Sequence, residues 1–395
     1  MRDARKRTLA ACCTAHVVQD GLLATLYVLM PVLAQAFGLS YAQVGVIRGA
    51  NNTAMALLEI PSGVLSERFG ERVLLAFGLL CAGLGYLALT TATGFRSVVV
   101  CLFAVGVGAA FQHALASTVI SNSYAAAGRR TALGVYNSSG DAGKLAFTGV
   151  FSLAMGLGAA WQGVVAAYAV VALLAAAGVF HVLLRLGAGA RPARDAHGAR
   201  SAAARDWGIR DRTGFSALAA IVFLDIAVQS GFLTFLAFLM IEKQVPTGLA
   251  AAAVVLTLAG GMFGKLGCGF LAERFGVIRS LIAVECLTAA GIVAVLVSPT
   301  LLAYLLLPVL GMVLQGSSSI TYATVSDLMR GDRHTRGFAA IYTISSAASI
   351  LGPVCFGLIG DRFGLAPAML AMTLVVLVPL PLSLLLRPAL AARYA

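Results

Sequence analysis

Long apolar runs alternate with short polar breaks along the whole chain. One set of runs covers residues 9–37, 42–62, 73–93, 97–121, 131–156 and 160–185, and a second covers 215–241, 247–271, 279–297, 301–327, 337–360 and 365–386. Each is close to the ~20 residues that a helix needs to cross about 30 Å of hydrocarbon. Backbone in lipid must satisfy its own hydrogen bonds, and these runs exceed the length of barrel strands, so the pattern predicts helices. The expected fold is an all-α membrane protein with twelve transmembrane helices. The first run is too long for the core of a signal peptide and reads as a retained helix.

A polar connection over residues 187–214, rich in Gly, Ala and Arg, separates six runs from six. It reads as a flexible cytoplasmic linker between an N-terminal bundle, 1–186, and a C-terminal bundle, 215–395. The two halves repeat. The stretch VQDGLLATLYVLM from Val18 matches VQSGFLTFLAFLM from Val228, and GVLSERFG from Gly63 matches GFLAERFG from Gly269, 206 positions on. The same offset lays Tyr136 on Tyr342, Ser139 on Ser345 and Arg130 on Arg336. Parallel repeats of this kind imply two pseudo-symmetric six-helix bundles with a substrate path between them.

Composition agrees with a lipid-embedded chain: 60% of residues are hydrophobic and 11% charged, against about 25% charged in soluble domains. With both termini cytoplasmic, all but six of the 28 Lys and Arg residues fall on the cytoplasmic side; the exceptions are Arg48, Arg96, Lys144, Lys243, Lys265 and Arg362. The net charge of +12 is therefore mostly positive-inside bias rather than a nucleic-acid footprint. All seven cysteines lie in apolar runs without CxxC spacing, which points to small apolar packing rather than zinc or disulfides. No metal and no cofactor is expected.

The stretch GVLSERFGER, between the second and third runs, resembles the loop signature of the major facilitator superfamily, G-x-x-x-D-R-x-G-R-R. Gly63, Glu67, Arg68, Gly70 and Arg72 fill its positions, and the second copy supplies Gly269, Glu273, Arg274 and Gly276. The resemblance implies a gate latch at these loops, with Gly63 and Gly269 allowing close helix approach. A third echo, GLIGDRFG at 357–364, falls on the external side, where Asp361 and Arg362 are expected to cap a turn. Within the superfamily, FGLSYAQVGVI, GVGAAFQHALASTVIS and RRTALGVYNSSGDAGKLA are similar to the fosmidomycin-resistance-like group. That resemblance implies efflux driven by the proton gradient, with an anionic phosphonate as the group's named drug. Three departures stand out. Gln112-His113 replaces the group's His-Pro, Lys144 replaces an apolar residue, and the antiporter Gly-Pro signature of the fifth helix is absent.

Burying an ion at bilayer depth costs on the order of 3 kcal/mol, so each intramembrane charge needs a partner, a water cavity or a function. His16 and Asp20 are four apart on one face of the first helix. Asp20 either binds a transported proton, with His16 beside it, or stays ionised against a cation. Asp225 on the seventh helix is a second proton-site candidate. Glu59 and Lys265 occupy matched positions in the repeat and read as gate charges, while Glu285 reads as packing or headgroup contact.

Asp141 and Lys144, three apart on the fifth helix, are either a self-neutralising staple between the halves or, with Lys265, an anion site. Gln19, Gln229, His113, Gln112, Asn137 and Gln315 are further candidates for substrate contact; a lone helical histidine such as His113 more often makes one satisfied hydrogen bond, and Asn137 is equally open to a reading as glue between helices. No nucleotide-binding motif, clustered catalytic constellation or soluble output domain is evident, which leaves ATP-driven pumps, enzymes and sensors behind. The leading expectation is proton-coupled export of a small anionic or amphipathic compound by alternating access. Uptake or exchange of a small organic anion is the alternative. The expected partners are that compound, protons and the lipid bilayer of the cell inner membrane, around a monomer.

Overall fold

The computed structural model describes residues 2–124, 126–191, 208–329 and 334–388, so residues 192–207 of the expected linker lie outside the described part. The described residues are helical, in fourteen segments. The first half holds α1 (Arg2–Phe37), α2 (Tyr41–Phe69), α3 (Glu71–Leu89), α4 (Phe95–Ala109), α5 (His113–Ser123), α6 (Ala126–Gly156) and α7 (Trp161–Arg185). The second holds α8 (Arg212–Glu242), α9 (Thr247–Phe275), α10 (Val277–Val297), α11 (Thr300–Leu328), α12 (His334–Phe363), α13 (Leu365–Leu377) and α14 (Pro379–Leu384). The fourth expected span is α4 plus α5 and the twelfth is α13 plus α14, so the segments correspond to the twelve apolar runs.

Ten helices among the described residues are long and apolar enough to cross a membrane. The two runs outside that set, α2 and α6, carry Arg48, Asn51, Asn52 and Glu59, and Asn137, Asp141 and Lys144, respectively. Polar content at membrane depth is what lowers their hydropathy, and it marks them as helices that face protein or a cavity. On the lipid-compatible side, residues such as Leu57, Val100, Leu301 and Leu374 are exposed, as a hydrocarbon solvent permits.

The chain divides into two compact units: Met1–Leu39 with Ala50–Arg200 and Thr247–Ala251, and Ser40–Gly49 with Ser201–Pro246 and Ala252–Ala395. The start of α2 thus groups with the second unit and the start of α9 with the first, which a division at the linker alone does not foresee.

In the first unit, α1 and α6 approach closely because α6 offers glycines. A Cβ on Gly143 would collide with the Val17 backbone, and one on Gly140 would lie 2.5 Å from His16 Nε2 and 2.9 Å from Asp20 Oδ2. The fourth span breaks at Ala110–Gln112, where Phe111 N donates to Gly108 O (3.3 Å) and Gln112 N to Ala109 O (3.2 Å). These tighter i→i−3 bonds end α4 and restart the helix with His113 in its first turn.

The loop glycines behave differently from expectation. A Cβ at Gly63 would meet nothing within 4 Å, and one at Gly269 only Ser319 Cβ at 3.9 Å, so neither residue marks a close helix approach. The constrained glycines of the motif are Gly70 and Gly276, with φ of 82° and 86°, in the left-handed region that side chains with a Cβ avoid. Each is the single residue joining two helices. Gly364 in the third echo has φ 92° and does the same between α12 and α13. In all three copies the preceding arginine (Arg68, Arg274 or Arg362) lies over the next phenylalanine ring, at 5.4, 5.6 and 5.7 Å. Asp361 caps another helix rather than the turn it was expected to cap. Its carboxylate accepts from Tyr41 N (2.7 Å) and Ala42 N (3.0 Å), satisfying free donors at the start of α2 within the second unit.

Candidate functional site

Five ionisable side chains from three helices meet in the first unit. Asp20 of α1 is their hub, buried at 5% exposure. Its Oδ2 lies 3.1 Å from Lys144 Nζ of α6 and 3.4 Å from His16 Nε2, and its Oδ1 lies 3.7 Å from His113 Nε2 of α5. Lys144 also donates to Asp141 Oδ1 at 3.1 Å. The close packing of α1 on the Gly140/Gly143 face of α6 brings Asp20 and Lys144 together, and the break before α5 swings His113 onto the same carboxylate.

The cluster has a buried side and an open side. His16 and Asp20 are nearly inaccessible, whereas the side chains of His113 and Lys144 are 45% and 31% exposed. His16 is oriented by Tyr136. Their rings stack at 4.1 Å, and His16 Nδ1 lies 2.8 Å from the Tyr136 carbonyl oxygen. A carbonyl only accepts, so Nδ1 carries a proton and Nε2 is the nitrogen presented to Asp20. Neutral His16 turns a lone pair toward a carboxylate; protonated His16 donates to it. The proton on Nε2 and the charge on Asp20 are thereby linked. Gln112 Nε2 donates to the Tyr136 hydroxyl at 3.3 Å and completes the wall.

His16, Asp20 and His113 also offer three metal-capable atoms within 4.8 Å of one another. A metal ion there would sit beside the Lys144 ammonium, which already occupies Asp20 Oδ2. The donor set is compatible with a cation in number, but its charge environment opposes one.

Gln19 is fully buried on α1, and neither of its amide atoms has a hydrogen-bond partner in the protein. Asn137 is exposed on α6. In the second unit, Gln229 donates to Leu314 O (2.9 Å) and Gln315 to Thr257 O (3.2 Å), so both amides tie helices together. Lys265 is half-buried on α9, and Asp225 is buried on α8, where it accepts from Ser317 Oγ at 2.7 Å. The gate-loop residues sit at the α2–α3 and α9–α10 joints, away from the Asp20 cluster in sequence and in element.

Sequence reasoning missed Tyr136 as the residue that orients His16, although it opens the YNSSGDAGK stretch. It also missed Ser317, whose signal was a polar QGSSS run, 315–319, inside an apolar span.

The chain from residue 12 to residue 353 matches the model of the Major Facilitator Superfamily. The protein belongs to this superfamily. It is a multi-pass membrane transporter rather than an enzyme, and its substrates are small molecules, as in the rest of the family. It is 28% identical over 375 residues to an uncharacterized MFS-type transporter, YfnC, of Bacillus subtilis (strain 168), covering 90% of this chain and 87% of that one. A shorter match, 30% identical over 114 residues, covers 29% of this chain and 25% of the 4-hydroxybenzoate transporter PcaK of Acinetobacter baylyi. The fold superposes on a bacterial homologue of the human lysosomal transporter Spinster with a TM-score of 0.80, at 16% identity, covering 99% of this chain and 98% of that one. The nucleoside transporter NupG superposes with a TM-score of 0.77 at 13% identity, covering 98% of this chain and all of its counterpart. At these identities the likeness shows the fold alone.

Proposed function

We propose that the protein is a proton-coupled secondary transporter of a small organic anion, working by alternating access in the cell inner membrane with both termini cytoplasmic. The observation that carries this reading is the Lys144–Asp20 pair with two histidines on the same carboxylate. Asp20 and Asp141 contribute two negative charges and Lys144 one positive charge. With both histidines neutral the cluster carries −1, with one protonated it is neutral, and with both protonated it is +1. Proton uptake therefore turns an anion-repelling site into an anion-accepting one, and by reciprocity a bound anion favours the proton. Lys144, on the open side, is the anion ligand. His16 and His113 carry the coupled protons, and Asp20 holds all three cations in place.

Co-operative binding of proton and anion favours inward co-transport down a proton gradient. The partial similarity to a 4-hydroxybenzoate transporter supports a carboxylate substrate. Export is the second reading, supported by the likeness of several stretches to the fosmidomycin-resistance-like efflux group, and it requires proton and substrate to compete.

Proteoliposomes with an imposed pH gradient separate the two. Faster uptake of labelled 4-hydroxybenzoate or of a phosphonate when the side from which the anion enters is acidified, abolished in Lys144→Ala, is the expected result. Acidification that drives the anion out of the acidified side's reach, by exchange, supports export instead. Anion flux indifferent to pH on both sides refutes the coupling.

A further inference from the structure

The second unit holds two buried acids for which the cluster above has no use. Asp225 of α8 and Glu285 of α10 are each 1% exposed, and they interact electrostatically with one another. α11 packs against both of their helices. Its Ser317 donates to Asp225 Oδ2 at 2.7 Å. Asp225 Oδ1 and both oxygens of Glu285 have no hydrogen-bond partner in the protein, and among the described residues neither carboxylate is in an ion pair.

Thr288, one turn after Glu285 on the same face, is equally unusual. Thr234, Thr257 and Thr324 in this unit all donate to the carbonyl four residues back. The Thr288 hydroxyl is 1% exposed and has no partner.

Two ionised carboxylates at this depth, with three unpartnered oxygens between them, are not tenable on their own. Among the described residues, the remaining ionisable groups that interact with the two acids supply no positive charge. Tyr322 of α11 interacts with Asp225 and hydrogen-bonds Ser345 of α12 at 3.2 Å; Tyr342 of α12 packs on Tyr322; Cys286 adjoins Glu285; and α13 and α14 contain no ionisable side chain.

We infer that Asp225 and Glu285, with the hydroxyls of Ser317 and Thr288, form a site in the second unit that holds one monovalent cation. The donors are oxygen only, and hard, without the nitrogen or sulfur that transition metals favour. A proton and a sodium ion both supply the single positive charge the carboxylates lack. The site does not rest on the anion reading of the Asp20 cluster, since it shares no residue with it.

The test uses the purified full-length protein in detergent or lipid nanodiscs. Thermal unfolding is followed from pH 5 to pH 9 in sodium chloride and, at equal ionic strength, in choline chloride. Infrared difference spectra between the two pH limits are recorded alongside. A cation bound only by the folded protein stabilises it by mass action. If the cation is sodium, the unfolding midpoint rises saturably with sodium and not with choline, and Asp225→Asn and Glu285→Gln each abolish the rise. If it is a proton, stability falls as pH rises in either salt, the band of a protonated carboxyl is lost toward pH 9, and both variants lose band and pH slope together.

Neutral isosteres remove the buried charge, so these variants are expected to fold. The changes that Asp225→Asn and Glu285→Gln make to both readouts should persist in a Lys144→Ala background, which separates failure here from failure of the anion site. The inference is overturned if Asp225→Asn and Glu285→Gln retain the wild-type sodium response, pH slope and infrared band.

Discussion

The two units solve the same problem, charge in a low-dielectric interior, in opposite ways. In the first, Asp20 is surrounded by Lys144, His16 and His113, and acid is matched to base by side chains. In the second, Asp225 and Glu285 receive one serine hydroxyl and no basic side chain among the described residues. The repeat makes the divergence plain. Tyr136 and Tyr342 are equivalent in sequence, yet Tyr136 is 1% exposed and stacks on His16, while Tyr342 is 53% exposed. The positions of Asp141 and Lys144 become Ala347 and Ile350 in the second copy. A pseudo-symmetric frame thus carries a self-contained charge cluster on one side and a pair of acids in need of a cation on the other. Only the first has basic side chains on its carboxylate that can change the net charge of the group.

Removing Lys144 should disturb this contrast most. Lys144→Ala leaves Asp20 buried without its nearest cation. It should abolish anion transport and destabilise the first unit by about 3 kcal/mol, the low end for a broken buried pair because Lys144 is partly exposed. Adding Asp20→Asn should recover most of the stability and none of the transport, as a double-mutant cycle of unfolding midpoints and flux would read.

Gly140→Ala comes next. Its Cβ would press on His16 Nε2 and Asp20 Oδ2, costing about 2 kcal/mol as overpacking does. It should also flatten the pH dependence of flux, whereas the equivalent alanine at Gly134, where a Cβ meets nothing within 4 Å, should not. Ser317→Ala in the second unit should cost about 1 kcal/mol of stability by withdrawing the donor from Asp225. Smallest of all, Thr288→Val should cost about 0.5 kcal/mol of stability while the cation is bound, because one neutral hydroxyl ligand is lost. An unchanged response to sodium and pH would remove this hydroxyl from the site.

Much of the frame was legible before any coordinates. Hydrophobic run lengths marked the helices, and the Val18/Val228 and Gly63/Gly269 echoes marked the repeat, because lipid demands about the same apolar length from every span. The charged residues were also visible, since any ion in such a run is conspicuous. Their partners were not. Lys144 was matched to Asp141, three residues away, but its second partner Asp20 lies 124 positions distant in sequence, on α1. Gln229 and Gln315, candidates for substrate contact, each donate to a carbonyl on another helix, and an amide reads the same in either role until its acceptor is seen. Gly63 and Gly269 looked like contact glycines, but the loop positions that need glycine are Gly70 and Gly276, whose positive φ is a property of backbone path.

The sequence by itself determined the membrane class, the helix count, the repeat and the superfamily signature, since each depends on local composition and spacing. Tertiary structure alone decided that Asp20 is a hub, that Tyr136 fixes the tautomer of His16, and that Asp225 and Glu285 lie within electrostatic reach. Those facts depend on which helix faces touch, and a glycine at 140 or a break at 110–112 sets that contact only once the helices are packed.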